Sequence, residues 1–172
     1  MDLLPLDASA QFNLVAGWLG QKRIYQWLDF GAGPQPLHAA MIKIMVLRGE
    51  HVLRLFTDDH EHRPIGIVGL SNVNRACRTA TLWEVLGERP YSAKGYAHRA
   101  AVAMLSLGFR VVGLKVINAW AVDGNYASLR ILRTLGFKPI GRERQCHCFE
   151  GRVHDRLWFD LLAEEYLEDS HD

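Results

Sequence analysis

Apolar positions along the chain follow two periods, and the change from one to the other marks its organisation. Leu3, Leu4 and Leu6 open as a short strand, and Asp7 then stands where a helix N-cap would. Phe12, Val15, Ala16 and Leu19 recur at helical spacing up to Gly20, and Ile24, Trp27 and Leu28 suggest a second, shorter helix. The Gly31 to Pro36 stretch breaks it, and Leu37 to Arg48 reads as a third helix closed by Gly49. From His51 the pattern turns β-branched: His51 to Thr57, Pro64 to Leu70 and Thr79 to Leu86, separated by the polar segments DDHEHR and SNVNRACR, predict an antiparallel meander. A helix from Lys94 to Phe109, a strand over Lys115 to Val122 and a helix from Tyr126 to Leu135 ending at Gly136 follow. Lys138 to Phe149 and Arg152 to Leu162 flank the turn residues Glu150 and Gly151 and close the chain as a hairpin. The sum is an α+β fold, a mixed and mostly antiparallel central sheet with helices on both faces, and no linker or repeat divides it.

Length and composition narrow the function classes. With 172 residues, 49% hydrophobic and 23% charged, the chain reads as a single domain spanning residues 1–172 that folds by itself. Lys and Arg total 20 against 19 Asp and Glu, so there is no basic field to hold a phosphate backbone, and nucleic acid is not an expected partner. Asp2 and Pro5 sit where a signal peptide would be basic and then apolar, and the most apolar stretch, Ala100 to Phe109, is too short to span a bilayer. The reading is a cytoplasmic protein with no membrane partner. Three cysteines, an odd number, fit reduced intracellular thiols better than a disulfide framework.

The segment Tyr91-Ser92-Ala93-Lys94-Gly95-Tyr96-Ala97 lies between a strand and a helix, and its small residues leave the backbone open to close approach. Free amides at a helix start bind a diphosphate without any large cationic side chain; the same turn also serves as a plain tight connection. There is no G-x-G-x-x-G after a βαβ unit and no Walker loop, which sets dinucleotide and P-loop chemistry aside.

This segment together with Asp123-Gly-Asn125-Tyr-Ala-Ser128, Leu135-Gly-Phe137 and the later FEGRVHD resembles the GNAT N-acetyltransferase superfamily. In detail it is most similar to the branch that acetylates ribosomal-protein amino termini and related small amines. The resemblance runs from about Pro64 onward. Its phosphate loop, Gln/Arg-x-x-Gly-x-Gly/Ala, falls on Ser92, Gly95 and Ala97, with Ser92 replacing the long polar residue. The resemblance implies the GNAT fold, with strands four and five (Thr79 to Leu86 and Lys115 to Val122) splayed around the pantetheine arm. It implies acetyl-coenzyme A as cosubstrate and direct transfer, in a ternary complex, to a primary amine, either a peptide N-terminus or a small molecule. Ser92, Ala93, Lys94, Gly95, Tyr96 and Ala97 would then hold the diphosphate, Val85, Leu86 and Asn125 the pantetheine, and Ser128 the region of the thioester. A homodimer is an assembly compatible with it.

Two catalytic candidates follow. Glu84 sits between apolar Leu82 and Leu86 on one strand face, which raises a carboxyl pKa toward that of a general base; a salt-bridged edge residue is the plainer alternative. Many members of the family carry a Tyr general acid seven residues after the Asn, but here that position is Leu132, leaving Ser128 or water to protonate the thiolate. Asn125 and Ser128, three apart at a helix start, equally suit an N-cap and a solvated hydroxyl. Trp18, Tyr25 and Trp27 fall in the segment the family uses as one wall of the acceptor groove, or simply pack in the core. Cys146 and Cys148 share a strand face with His147 on the other, so no metal site is assigned, although a thiol or zinc function of the Cys146 to His154 hairpin is an alternative. A further alternative is an acyl-coenzyme A-binding module without catalysis.

Overall fold

The computed structural model describes residues 1–31 and 33–168. Ala32, inside the expected break, and residues 169–172 of the expected domain lie outside the described residues. Seven strands form one sheet in the order β1-β2-β3-β4-β5-β7-β6. β1 (Leu3–Pro5), β2 (Val52–Thr57), β3 (Pro64–Asn74) and β4 (Thr79–Leu86) pair antiparallel in succession. β5 (Val116–Val122) joins β4 in parallel, and the hairpin β6 (Lys138–Phe149) and β7 (Arg152–Leu162) completes the sheet with β7 beside β5. The meander and the closing hairpin are those the alternating pattern predicts. β3 runs further than expected, to Asn74, because Val73 on it is buried and pairing with β4 resumes at Asn74 after a bulge.

The helices divide between the two faces. α1 (Ser9–Leu19), α2 (Lys22–Tyr25) and α3 (Ala39–Leu47) bury Phe12, Val15, Ile24 and Ile42 against Leu53, Leu55, Ile67 and Val85 of one face. α4 (Tyr96–Ser106) and α5 (Tyr126–Thr134) bury Ala100, Met104, Leu129 and Leu132 with Val68, Leu70, Ala80 and Ile117 of the other. A last helix, α6 (Ala163–Glu168), was not expected; it adds Tyr166 against Phe109. No described helix is long and apolar enough to cross a membrane.

The second helix ends at Tyr25, short of Trp27 and Leu28, and three helix starts differ from the sequence pattern for identifiable reasons. The N-cap of α1 is Ala8, not Asp7: the Gln11 side chain reaches back to the amides of both Asp7 and Ala8, at 3.0 Å each, and does the capping from inside the helix. α3 begins at Ala39, after Pro34 and Pro36 have held the chain extended. α4 begins at Tyr96 because Ala93 and Gly95 are left-handed, and its far end passes through a π turn, Leu107–Val112.

The α1 to α3 layer is tied to the exit of β4. Trp18 Nε1 donates to Glu88 at 3.0 Å, Arg23 donates to the Gly87 carbonyl at 2.5 Å, and the Trp18 ring packs directly against Gly87. A Cβ on Gly87 would stand 2.1 Å from that ring. Gly87→Ala is therefore expected to lower stability by about 1–3 kcal/mol, the usual cost of overpacking. The measurement is the urea midpoint, with the slope unchanged; a parental midpoint would show that the Trp18 contact yields freely.

Candidate functional site

β4 and β5 pair only where they begin. Thr79, Ala80 and Thr81 face Val116, Ile117 and Asn118, and beyond them the strands diverge. β5 turns its whole length to β7, so the edge of β4 from Leu82 to Leu86 that faces away from β3 has backbone groups with no partner strand. Beyond the point of divergence Trp120 and Trp158 are register partners on β5 and β7. A cavity of about 900 Å³ opens in the gap.

Glu84, Val85 and Leu86 of β4 line this cavity, as do Asn125, Ser128 and Leu132 of α5. Glu84 lies opposite Val68 and shares its strand face with Leu82 and Leu86. It is partly buried and makes no hydrogen bond or ion pair among the described residues, so the salt-bridged alternative is not what the structure holds. Desolvation pushes its carboxyl up to about 8. Asn125 is the N-cap of α5, its Oδ1 accepting the Ser128 amide at 3.3 Å, while its Nδ2 donates to no described residue. The Ser128 hydroxyl is likewise unengaged and half-buried in the same wall.

The Ser92 to Ala97 turn does not line the cavity; it follows β4 through a short 3₁₀ turn, Arg89–Tyr91. Ala93 and Gly95 have φ of +60° and +78°, which turns successive amides outward. The first helical bond of α4 runs from the Arg99 amide to the Gly95 carbonyl at 3.0 Å, and the amides from Ala93 to His98 donate to no described group. Tyr96 offers only its amide, because its ring is buried edge-on to Tyr91 with centroids 5.6 Å apart. The turn is braced from beneath. The Tyr91 hydroxyl donates to Asp58 at 3.1 Å and accepts from Arg63 at 3.2 Å, Lys94 lies over the Tyr91 ring, and Asp59 holds Arg99 and the Met1 amine at 2.8 Å each.

Other residues of the cavity carry no local motif. Asp29 pairs with Arg156 at 2.8 Å, and the Arg156 guanidinium lies 4.1 Å from the centre of the Trp120 ring. Phe30 meets Trp83 edge-on at 5.2 Å. Period-two spacing would have put Arg156 and Trp158 on one face of β7, but their meeting with Trp120 depends on which strand β7 joins. Of the aromatics expected at a groove wall, Trp27 lines the cavity; Trp18 is in the core and Tyr25 is not part of the lining. His147 is buried, with Nε2 2.6 Å from the Gln26 carbonyl, and His154 pairs through Nδ1 with Asp123 at 3.0 Å. Cys77, Cys146 and Cys148 are free thiols, and the described residues include no group of three ligating side chains placed to hold a metal.

Comparison with known proteins bears on the family and the fold. Residues 3–138 match the acetyltransferase (GNAT) domain family. An uncharacterized N-acetyltransferase of Bacillus licheniformis is 30% identical over 102 residues, 59% of this chain and 57% of that protein, so the match spans little more than half of the relative's length. The spermidine N(1)-acetyltransferase of Escherichia coli is 24% identical over 134 residues, 76% of this chain and 72% of its own. The crystal structure of spermidine N-acetyltransferase from Vibrio cholerae in complex with CoA and spermine superposes with a TM-score of 0.85 over 96% of this chain and 97% of that one, at 17% identity, which speaks to the fold.

Glu84 also makes stability depend on pH in a definite direction. Its folded pKa lies above its ordinary value of 4.5, so the folded protein holds a proton that the unfolded chain releases between about pH 4.5 and 8. Stability from this group is complete below 4.5 and declines as pH rises to 8. Glu84→Gln should remove that decline, giving a Tm above the parent's at pH 8.5 and close to it at pH 4.5. Parallel Tm profiles for the two proteins would place the Glu84 carboxyl in water.

Proposed function

The chain belongs to the GNAT acetyltransferase family, and from that premise we propose that it moves the acetyl group of acetyl-coenzyme A to a primary amine, by direct attack within a ternary complex. The observation that carries the reading is the open half of β4: an unpaired strand edge, with free amides from Ala93 to His98 beyond one end and a partnerless buried carboxyl on its face. The amides of the turn suit the diphosphate, since they point outward and carry the positive end of the α4 dipole. The free edge from Leu82 to Leu86 suits the amide groups of the pantetheine arm, and Asn125 Nδ2 meets it from the α5 side. The acceptor is a small-molecule or peptide amine, and the polyamine-acetylating relatives support an amine acceptor in general.

Each residue then has a task. Glu84, directly or through one water, takes a proton from the ammonium so that the nitrogen lone pair is free. A carboxyl near 8 is a fair match for this work, because about one in ten is ionised at pH 7 and the ionised form is a strong base. As the new C–N bond forms and the C–S bond breaks, the electron pair leaves on sulfur. The attacking nitrogen carries one proton more than the amide keeps; that proton passes through the Ser128 hydroxyl, or a water that Ser128 positions, to the sulfur, which gives the free thiol and restores the hydroxyl. Leu132 is buried beside it and excludes bulk solvent.

Two measurements test this. Gly95→Glu puts a charged side chain among the turn amides and is expected to abolish the rise in Tm that coenzyme A gives the parent. Gly95→Asn, which tolerates the left-handed backbone, should keep it. An undiminished shift in the Glu variant would place the cofactor elsewhere. In turnover, Glu84→Gln should cost about 10²-fold near neutral pH and recover in part at high pH, where the amine loses its proton unaided. A parental rate and pH profile would leave solvent as the base, and cofactor binding without transfer to any amine would leave a binding module.

A further inference from the structure

The splay joins two walls of unlike character. On the α4 and α5 side are Glu84, Asn125 and Ser128; on the side covered by α1 to α3 the cavity is aromatic, with Phe30, Trp83, Trp120 and Trp158. Alternation along β4, β5 and β7 puts the three tryptophans on that face, and Phe30 reaches it from the segment after α2. Flat apolar surface of this extent recognises a flat apolar ligand.

The charges of the cavity point the same way. Asp29 is engaged at both oxygens: Oδ1 takes the Gly31 and Gly33 amides at 2.7 and 3.0 Å, and Oδ2 takes Arg156 at 2.8 Å. Those amides and Arg156 outweigh burial and hold its carboxyl below the ordinary range, so it stays ionised and committed. The face of Trp120, where a ligand ammonium would gain most, is occupied by the chain's own Arg156. Arg23 donates to Gln21 and to the Gly87 carbonyl, both neutral, and makes no ion pair among the described residues. Arg48 lines the rim without an ion pair among the described residues, and the one other carboxylate there, Glu50, is next to it. A molecule with several ammonium groups would bring its second and third charges into a site where Asp29 is already paired with Arg156, which Glu143 also meets at 3.6 Å, where Arg23 and Arg48 have no ion pair among the described residues, and where Glu50 is the one further carboxylate beside Glu84.

Resting on the acetyltransferase reading above, we infer that the acceptor is a primary amine with one ammonium group and an aromatic body, not a polyamine. The amine faces Glu84 across the splay, and the ring lies among Phe30, Trp83 and Trp158. The body is either that of a free arylalkylamine or that of an aromatic first residue of a peptide, two sources with one chemistry.

The experiment is steady-state thiol release from acetyl-coenzyme A by the parent protein, with product mass, for tryptamine, phenethylamine, the dipeptides Trp-Gly and Phe-Gly, hexylamine, putrescine and spermidine. The best aromatic amine should exceed both spermidine and hexylamine at least ten-fold in kcat/KM, and the ranking of free amines against dipeptides identifies the source. Spermidine equal to or better than every aromatic amine overturns the inference and leaves the acetyltransferase reading intact, as does hexylamine equal to the aromatic amines. No transfer to any amine, with coenzyme A still raising the Tm, overturns both. Arg156→Gln frees Asp29 and uncovers Trp120, and should raise kcat/KM for spermidine relative to tryptamine several-fold; an unchanged ratio removes Arg156 from specificity. Where that variant does not fold, the parent's ranking decides.

Discussion

The site depends on one divergence, between Thr81 and Leu82, where β4 keeps its pairing with β3 and loses it with β5. Backbone donors and acceptors left without partners inside a protein are costly, and a sheet normally closes to avoid this. Here closure is prevented on both sides. β4 is held by β3 through a regular register from Leu86 back to Thr81, and β5 is held by β7 along every residue from Val116 to Val122. The gap remains because each strand is already committed to its other neighbour. Its open edge is a standing demand for a ligand with amide groups.

Around the gap, the same strand carries the candidate acid and the boundary. Glu84 has no partner among the described residues because its neighbours on the strand face are Leu82 and Leu86 and its register partner is Val68. The carboxyl is thus kept near neutrality by the absence of anything to ionise for, and a substrate ammonium would change that balance on arrival. At the far end of β4, Gly87 and Glu88 are clasped by Trp18 and Arg23, so the chain enters the Ser92 to Ala97 turn from a fixed point. The Tyr91, Asp58 and Arg63 group fixes it again just before the amides emerge. Rigid support on both sides of a short turn is what a site built from backbone amides needs, since it has no long side chains to adjust.

Much of this was legible in the sequence, and what was legible was local. The meander, the helix starting near Gly95, the Asn125 to Ser128 spacing and the hairpin turn at Glu150 and Gly151 each depend on residues within a few positions of one another, where period and turn chemistry act directly. Glu84 stood out because its own strand neighbours are apolar. The errors were also local in kind. Asp7 looked like a cap by identity, but Gln11 reached both amides first; SNVNRACR looked like a turn by polarity, but buried Val73 kept its first half in β3.

By itself, then, the order of residues determined most of the elements, the α+β class and the position of an acid among apolar strand neighbours, because those follow from spacing along one chain; that the acid makes no ion pair among the described residues came from the fold. Only the tertiary structure decided the aromatic wall. Trp120 and Trp158 lie far apart in sequence and become neighbours because β7 inserts between β5 and β6, and Arg156 meets Asp29 because the segment after α2 crosses that face. No periodicity signals such a meeting. Strand order is set by the total burial the whole sheet achieves, a sum over contacts distant in sequence, and the character of this cavity, aromatic with an internal cation, is a product of that sum.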